Sequence, residues 1–252
     1  MHGKFFREVA KDATPDMYNW VVKGNVNKTT EGYIFAAQEQ ALPTNWLKAR
    51  ILGEGANPMC RKCSKKVETV THLISSCSSL AQYHYRKRHD KMGLRVYWEL
   101  CKLAHIKCSE KWFNESPEKV RKSECGRYEV WWDRSVETPK KLDHNKPDVV
   151  LIDRVNKSWI VIDFSVPIDQ NVVSKEEEKI SHYSNLCSEI RKLHNVKTTI
   201  VPLVIGALGV ISKNFKPYLK SIGIPNVDNV FTCMQMTAVL GTSIILRQVL
   251  NS

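Results

Sequence analysis

"KPDVVLIDRVNKSWIVIDFSVPID", residues 146–169, carries two apolar runs, VVLI and WIVIDF, on either side of the polar tetrad RVNK. Runs this rich in Val, Ile and aromatic side chains, bounded by turn residues, predict two strands joined as a hairpin. Asp163 interrupts the second run between Ile162 and Phe164, and a carboxylate there costs several kcal/mol unless something compensates it. Asp148 opens the first run after a Lys-Pro step, with fourteen residues between it and Asp163. If both fall on one sheet face their side chains converge. Two acids on adjacent strands supply the hard oxygen ligands that Mg2+ takes, and a backbone carbonyl beside Asp163 offers a third. The basic residue that would complete such a site is expected two positions after the second acid, where Ser165 stands.

Around this hairpin the hydrophobic period changes along the chain. Upstream, "TTEGYIFAAQEQAL" and "PTNWLKARIL" have helical spacing and predict short helices before "GEGANP" breaks the pattern. Helical periodicity returns from Val70 to about Ile106, with a break expected near Gly93. After "NESPEK" the period becomes two, and "GRYEVWWDRSVET" predicts a strand ahead of the hairpin. Downstream, "NVVSKEEEKISHYSNLCSEIRKLHNV" predicts a helix, "KTTIVPLVIGAL" a strand, and residues 212–221 and 229–250 two more helices. The order is that of an α/β fold in three parts: an N-terminal helical segment (1–57), a cysteine cluster with a basic helical region (58–115), and a sheet-bearing core (116–252).

The 252 residues are 42% hydrophobic, enough for one large core or two modest ones. A net charge of +12 favours a polyanionic partner, nucleic acid or an anionic membrane surface. Membrane is the weaker of the two, because the apolar stretch "IVPLVIGALGVI" is too short to span a bilayer and contains Pro202 and two glycines. The amino end lacks a signal-peptide run, so an intracellular chain is expected. Eight cysteines, three of them clustered with a histidine, point to a reduced protein with a metal site rather than a disulfide framework.

That cluster is Cys60, Cys63, His72 and Cys77, spaced C-x2-C-x8-H-x4-C. Two cysteines on a tight turn present both sulfurs to one ion, and His72 and Cys77, a little over one helical turn apart, meet it from one helix face. The set predicts a closed structural Zn2+ site, since four protein ligands leave no position for a reacting water. Arg61, Lys62, Lys65 and Lys66 surround it, and "YHYRKRHDK" adds Arg86, Lys87, Arg88, His89 and Lys91. Aromatics interleaved with bases suit stacking and phosphate contact, so Arg61, Lys62, Arg86, Lys87, Arg88 and His89 are candidate nucleic-acid contacts. Each could equally belong to a solvated helix face. His89 is expected to touch a DNA backbone or to pack rather than to act as a base. Glu129 is a further candidate acid, Trp131 and Trp132 are expected to pack, and Cys101, Cys108, Cys125, Cys187 and Cys233 are expected to be ordinary buried or surface thiols.

"KPDVVLID…VIDFSVP", "VWWDRSVET", "EEEKISHY", "VPLVIGALG", "LGTSIILRQVL", the Cys3His cluster and "RHDKM" together resemble the carboxy-terminal restriction-like endonuclease region of non-LTR retrotransposon proteins, from about Leu42 onward. The resemblance implies a PD-(D/E)xK core, a mixed sheet flanked by helices, preceded by a helical region with a zinc knuckle. It implies a domain that nicks target DNA so that the exposed 3′ end primes reverse transcription. Asp148 and Asp163 match the two acids that hold Mg2+ or Mn2+, and the Cys3His residues match the zinc ligands. In that family the lysine belongs to a K-x-x-x-Y pattern on the following helix, which Lys179 and Tyr183 match, with Lys175 as the rival lysine.

One departure is that the aromatic-Asp-Asp hallmark of reverse transcriptases is missing from this chain. A fragment or a free-standing relative is therefore expected, with a reverse transcriptase region as an absent partner and the nucleus as location. Three functions follow: a Mg2+-dependent endonuclease on double-stranded DNA, a non-cleaving module that binds DNA or RNA, and a nuclease selective for branched DNA.

Overall fold

A computed structural model describes residues 3–9, 14–55 and 57–251. The expected N-terminal segment therefore includes positions 1–2, 10–13 and 56 that lie outside the described residues. Ten helices are defined among those described: α1 (Lys4–Val9), α2 (Asn19–Val22), α3 (Lys28–Gln38), α4 (Asn45–Arg50), α5 (Val70–Ser75), α6 (Ser78–Leu80), α7 (Arg86–Leu103), α8 (Val172–His194), α9 (Phe215–Ser221) and α10 (Val227–Leu250). Five strands, β1 (Val120–Lys122), β2 (Tyr128–Trp132), β3 (Val149–Asp153), β4 (Ser158–Ser165) and β5 (Lys197–Val204), form one sheet in the order β1-β2-β3-β4-β5.

The sheet is mixed. β1 to β4 run antiparallel, and β5 joins β4 in parallel after the α8 crossover. A parallel neighbour needs such a crossover, because a tight turn cannot return the chain in the same direction. The hairpin forms across RVNK as expected, with Val149 opposite Ile162 and Asp153 opposite Ser158. Its turn is held by Asp153, whose Oδ1 accepts the N–H groups of Val155 and Asn156, both at 3.0 Å. Strand β1 was not foreseen: three residues with no apolar alternation, paired at the sheet edge, leave no periodic signal.

Alternation along β3 and β4 decides what each face meets. Val149, Leu151, Ile162 and Phe164 pack toward α7, α9 and α10, while Val150, Ile152, Trp159 and Val161 pack against Leu186, Cys187 and Ile190 of α8. Asp163 has the parity of Val161 and so faces α8. On α8 the residues Val172, Glu176, Lys179, Tyr183, Leu186 and Ile190 recur at spacings of three and four, and that stripe lies against the sheet. The helix stops at Asn195, whose left-handed φ of 49° provides the turn.

The expected break near Gly93 does not occur. α7 runs through it, and Gly93 is where the helix meets β4: an added Cβ would lie 2.6 Å from two ring carbons of Phe164. The helical register changes earlier, at Ser76, Cys77 and a π turn over Ala81–Tyr85.

α10 is long and apolar enough to cross a membrane by length and composition, but 67% of its apolar window is buried in the protein. It packs on α7, α2, α5, α9 and α3. Gln235 in its middle is fully buried, and its amide links three segments through the carbonyls of Asp16, Met17 and Gly209 and the N–H of Trp20.

Candidate functional site

Two centres are assembled. At the first, Cys60, Cys63, His72 and Cys77 bring one ligand atom each to within 4.8 Å of one another. Cys60 Sγ and Cys77 Sγ are 3.9 Å apart, and Cys63 Sγ and His72 Nε2 are 3.4 Å apart. Tetrahedral Zn2+ with bonds near 2.3 Å to sulfur places its ligands roughly 3.5–3.8 Å apart, so the cluster can hold a metal such as zinc.

Local chemistry explains the arrangement. Residues 59–67 form a small turn closed by the bridge between Met59 and Val67, with Ser64 in the left-handed region at φ 53°. Thr69 caps α5 by accepting the His72 N–H, which fixes where the imidazole projects, and Ser76 Oγ lies 3.3 Å from His72 Nδ1. Burial pulls the His72 imidazole below its ordinary range, keeping it neutral and ready to ligate. The N–H groups of Lys65 and Lys66 pull the Cys63 thiol down, whereas burial pushes Cys77 up to about 11.

The second centre lies where the hairpin meets α8 and the start of α7. Asp163 is 3% exposed. Its Oδ1 accepts a 2.6 Å hydrogen bond from the Tyr183 hydroxyl, and Lys179 Nζ stands 2.8 Å from its Oδ2. The ammonium makes an ion pair but not an aligned hydrogen bond, and Oδ2 has no other polar partner. Burial and the Asp148 carboxylate push the Asp163 carboxyl above its ordinary range, while Lys179 and Tyr183 pull it back. Lys175 points elsewhere and pairs with Glu178 at 2.7 Å.

Asp148 sits one residue before β3, and its Oδ2 accepts the Phe164 N–H at 2.7 Å. The same oxygen lies 3.2 Å from His89 Nε2, which is also 3.0 Å from the Phe164 carbonyl oxygen. His89 is thus part of the acidic site, not of an outward-facing basic surface. Burial opposes a charge on its ring, but the Asp148 and Asp90 carboxylates outweigh it and hold the imidazole up to about 10. An open cleft of about 500 Å3 passes Asp148 and His89, with Arg86, Asp133 and Lys146 on its walls.

Two other basic candidates are structural. Arg88 is 4% exposed, donates to Thr242 Oγ1 and the Val166 carbonyl, and stacks on Tyr85. Arg61 pairs with the fully buried Glu68 at 2.8 Å and reaches the Val249 and Leu250 carbonyls at the end of α10. Neither guanidinium is free to meet a phosphate. Lys62, Arg86 and Lys87 remain at the surface, Lys87 lying over the exposed Tyr83 ring. Glu129 is remote from Asp163: it pairs with Ile152 across the sheet and is held by Arg154 and Lys122. Trp131 and Trp132 pack edge-on against Trp159 and Tyr97.

Sequence reasoning missed Asp90 and Lys146, and it did not place His89 beside Asp148. The Lys-Pro-Asp step and the His-Asp pair were visible, but nothing in the chain order links position 89 with position 148. No protein-family model and no curated protein matches the chain.

Proposed function

We propose that the chain is a metal-dependent endodeoxyribonuclease built on a restriction-endonuclease-like PD-(D/E)xK core. The observation that carries this reading is the meeting of Asp148, Asp163 and Lys179 at one end of the hairpin, with Asp163 buried and its Oδ2 paired with the Lys179 ammonium at 2.8 Å. The two carboxylates and the Phe164 carbonyl would supply the hard oxygen ligands that Mg2+ or Mn2+ takes. Such an ion, when bound, lowers the pKa of a water and polarises a scissile phosphate.

The protein groups do the rest. Lys179 stabilises negative charge that develops on the phosphate and orients the attacking water. Tyr183 fixes the Asp163 carboxylate with a hydroxyl whose proton is held by burial and by Asp163. Arg86 and Lys146 on the cleft wall would meet backbone phosphates, and Lys62 and Lys87 are further exposed bases that would reach them. The substrate is double-stranded or branched DNA, hydrolysed to 3′-hydroxyl and 5′-phosphate ends, with a reverse transcriptase region as the functional partner and the nucleus as the place of action.

Nicking of supercoiled plasmid in Mg2+ or Mn2+ tests the proposal. Asp163→Ala and Lys179→Met are expected to slow nicking by about 100-fold or more, while Lys175→Met leaves it unchanged. Equal nicking by the wild type and Asp163→Ala sinks the assignment. Relative rates on duplex, flap and four-way substrates separate duplex from branched preference.

A further inference from the structure

The outer flank of α10 and the start of α7 enclose an open groove of about 540 Å3 that neither centre uses. Its floor is aliphatic: Met236, Leu240 and Ile244 follow one another at intervals of four along α10, with Cys233 before them and Gln248 after. Residues four apart share a helix face, so the row is continuous, and from 233 to 248 it runs about 22 Å. Tyr83, Lys87 and Lys91 form the wall beside it, the two lysines one helical turn apart and Lys87 leaning on the Tyr83 ring. Trp112 and Phe113, from the segment after α7, also line the groove. Tyr83, Phe113 and Ile244 are each more than half exposed. None of the described residues lining the groove is acidic. A contiguous apolar surface of this kind, rimmed by charge, marks an interaction site.

We propose that this groove docks an acidic amphipathic helix of a protein partner, about four turns long, laid along α10. The lining selects the occupant. An aliphatic floor of helical period accepts the i, i+4 and i+7 side chains of a helix lying on it, and it offers nucleobases no aromatic face to stack on. Lys87 and Lys91 stand where carboxylates one turn apart on the incoming helix would meet them. A basic helix of the same apolar pattern would be repelled, so charge discriminates among candidate helices. A second copy of the chain would set one basic wall against another. None of Asp148, Asp163 and Lys179 lines the groove, and docking there is independent of cleavage.

The test is a displayed library of randomised helical peptides of about sixteen residues, selected on the full chain and counter-selected on its Ile244→Glu variant. Selected peptides should carry apolar residues at i, i+4 and i+7, with Asp and Glu well in excess of Lys and Arg. In fluorescence anisotropy the best of them should lose about tenfold or more in affinity for Ile244→Glu and about fivefold for Lys91→Glu. A peptide with a Glu→Lys change should bind Lys91→Glu better than it binds the wild type. Ile244 and Lys91 are exposed, and equal urea midpoints of the variants separate lost docking from lost folding. Selection that yields no peptide whose binding needs Ile244, or peptides with no acidic excess, overturns the proposal. Single-stranded oligothymidine and phosphatidylserine vesicles are run on the same variants. If either binds through Ile244 and no acidic peptide does, the groove serves nucleic acid or a membrane and the proposal falls. A wild-type dimer that Ile244→Glu turns monomeric in sedimentation assigns the face to a second copy and overturns it as well.

Discussion

The cost of burying Asp163 is offset by specific partners. Lys179 supplies the charge and Tyr183 the hydrogen bond, and both stand on the α8 stripe that faces the strand. Lys175, four residues earlier, turns instead to Glu178. Similar logic separates two neighbouring bases at the knuckle. Removing Arg61 leaves Glu68 buried without its cation, so Arg61→Ala should lower unfolding free energy by about 3 kcal/mol. Lys62→Ala should stay within about 0.5 kcal/mol, and urea unfolding of the two variants checks the contrast. From sequence the two residues were equivalent members of one basic run. What distinguishes them is contact with the end of α10, almost two hundred positions away.

Elements carry the next set of consequences. The helix α7 presses a glycine onto the Phe164 ring, and Phe164 supplies the carbonyl and N–H that meet His89 and Asp148. Gly93→Ala gains about 1 kcal/mol of helix propensity but forces a 2.6 Å contact with a buried ring, and overpacking of that kind costs about 1–3 kcal/mol. A net loss of stability in urea titration is expected, together with a weaker acidic site.

The hairpin turn has its own pH signature. Burial works against ionisation of Asp153, but Arg127 and the Asn156 N–H outweigh it and hold the carboxyl down to about 2. Its folded pKa is below that of an unfolded aspartate, about 3.9. The stabilisation is therefore present above roughly pH 4 and is lost as pH falls toward 2. Because Arg127 is 39% exposed, screening reduces the contribution to about 1–2 kcal/mol. Asp153→Asn should lose that amount at pH 7 and flatten the acid limb of stability against pH in urea titrations.

At the scale of the whole molecule the cysteine cluster is tied to distant chain. Its helix α5 packs on α10, Arg61 beside Cys60 reaches the α10 terminus, and the Cys60 and Cys77 side chains sit in the core shared with Val204, Leu208 and Val239. Removing zinc should therefore loosen α10 as well as the cluster. A strong chelator is expected to release the bound metal and to cost several kcal/mol of stability, because a preformed site is absent from the unfolded chain, read by elemental analysis and calorimetry. An unchanged thermal midpoint after full zinc release would contradict this coupling.

The local features were legible because their physics is local. The hairpin, its RVNK turn, the long α8 and the spacing of the cluster ligands all follow from period, turn residues and short loops. So did the pairing of Asp163 with a lysine and a tyrosine four residues apart, once a motif pointed to the next helix. Tertiary packing alone decided that Arg88 and Arg61 are internal ties, that Gly93 is a contact rather than a break, and that His89 belongs with Asp148 and Phe164. Charge and periodicity describe how a residue relates to its near neighbours. A buried guanidinium or an imidazole between two oxygens is defined by groups brought together across the sheet, and chain order holds no record of that meeting.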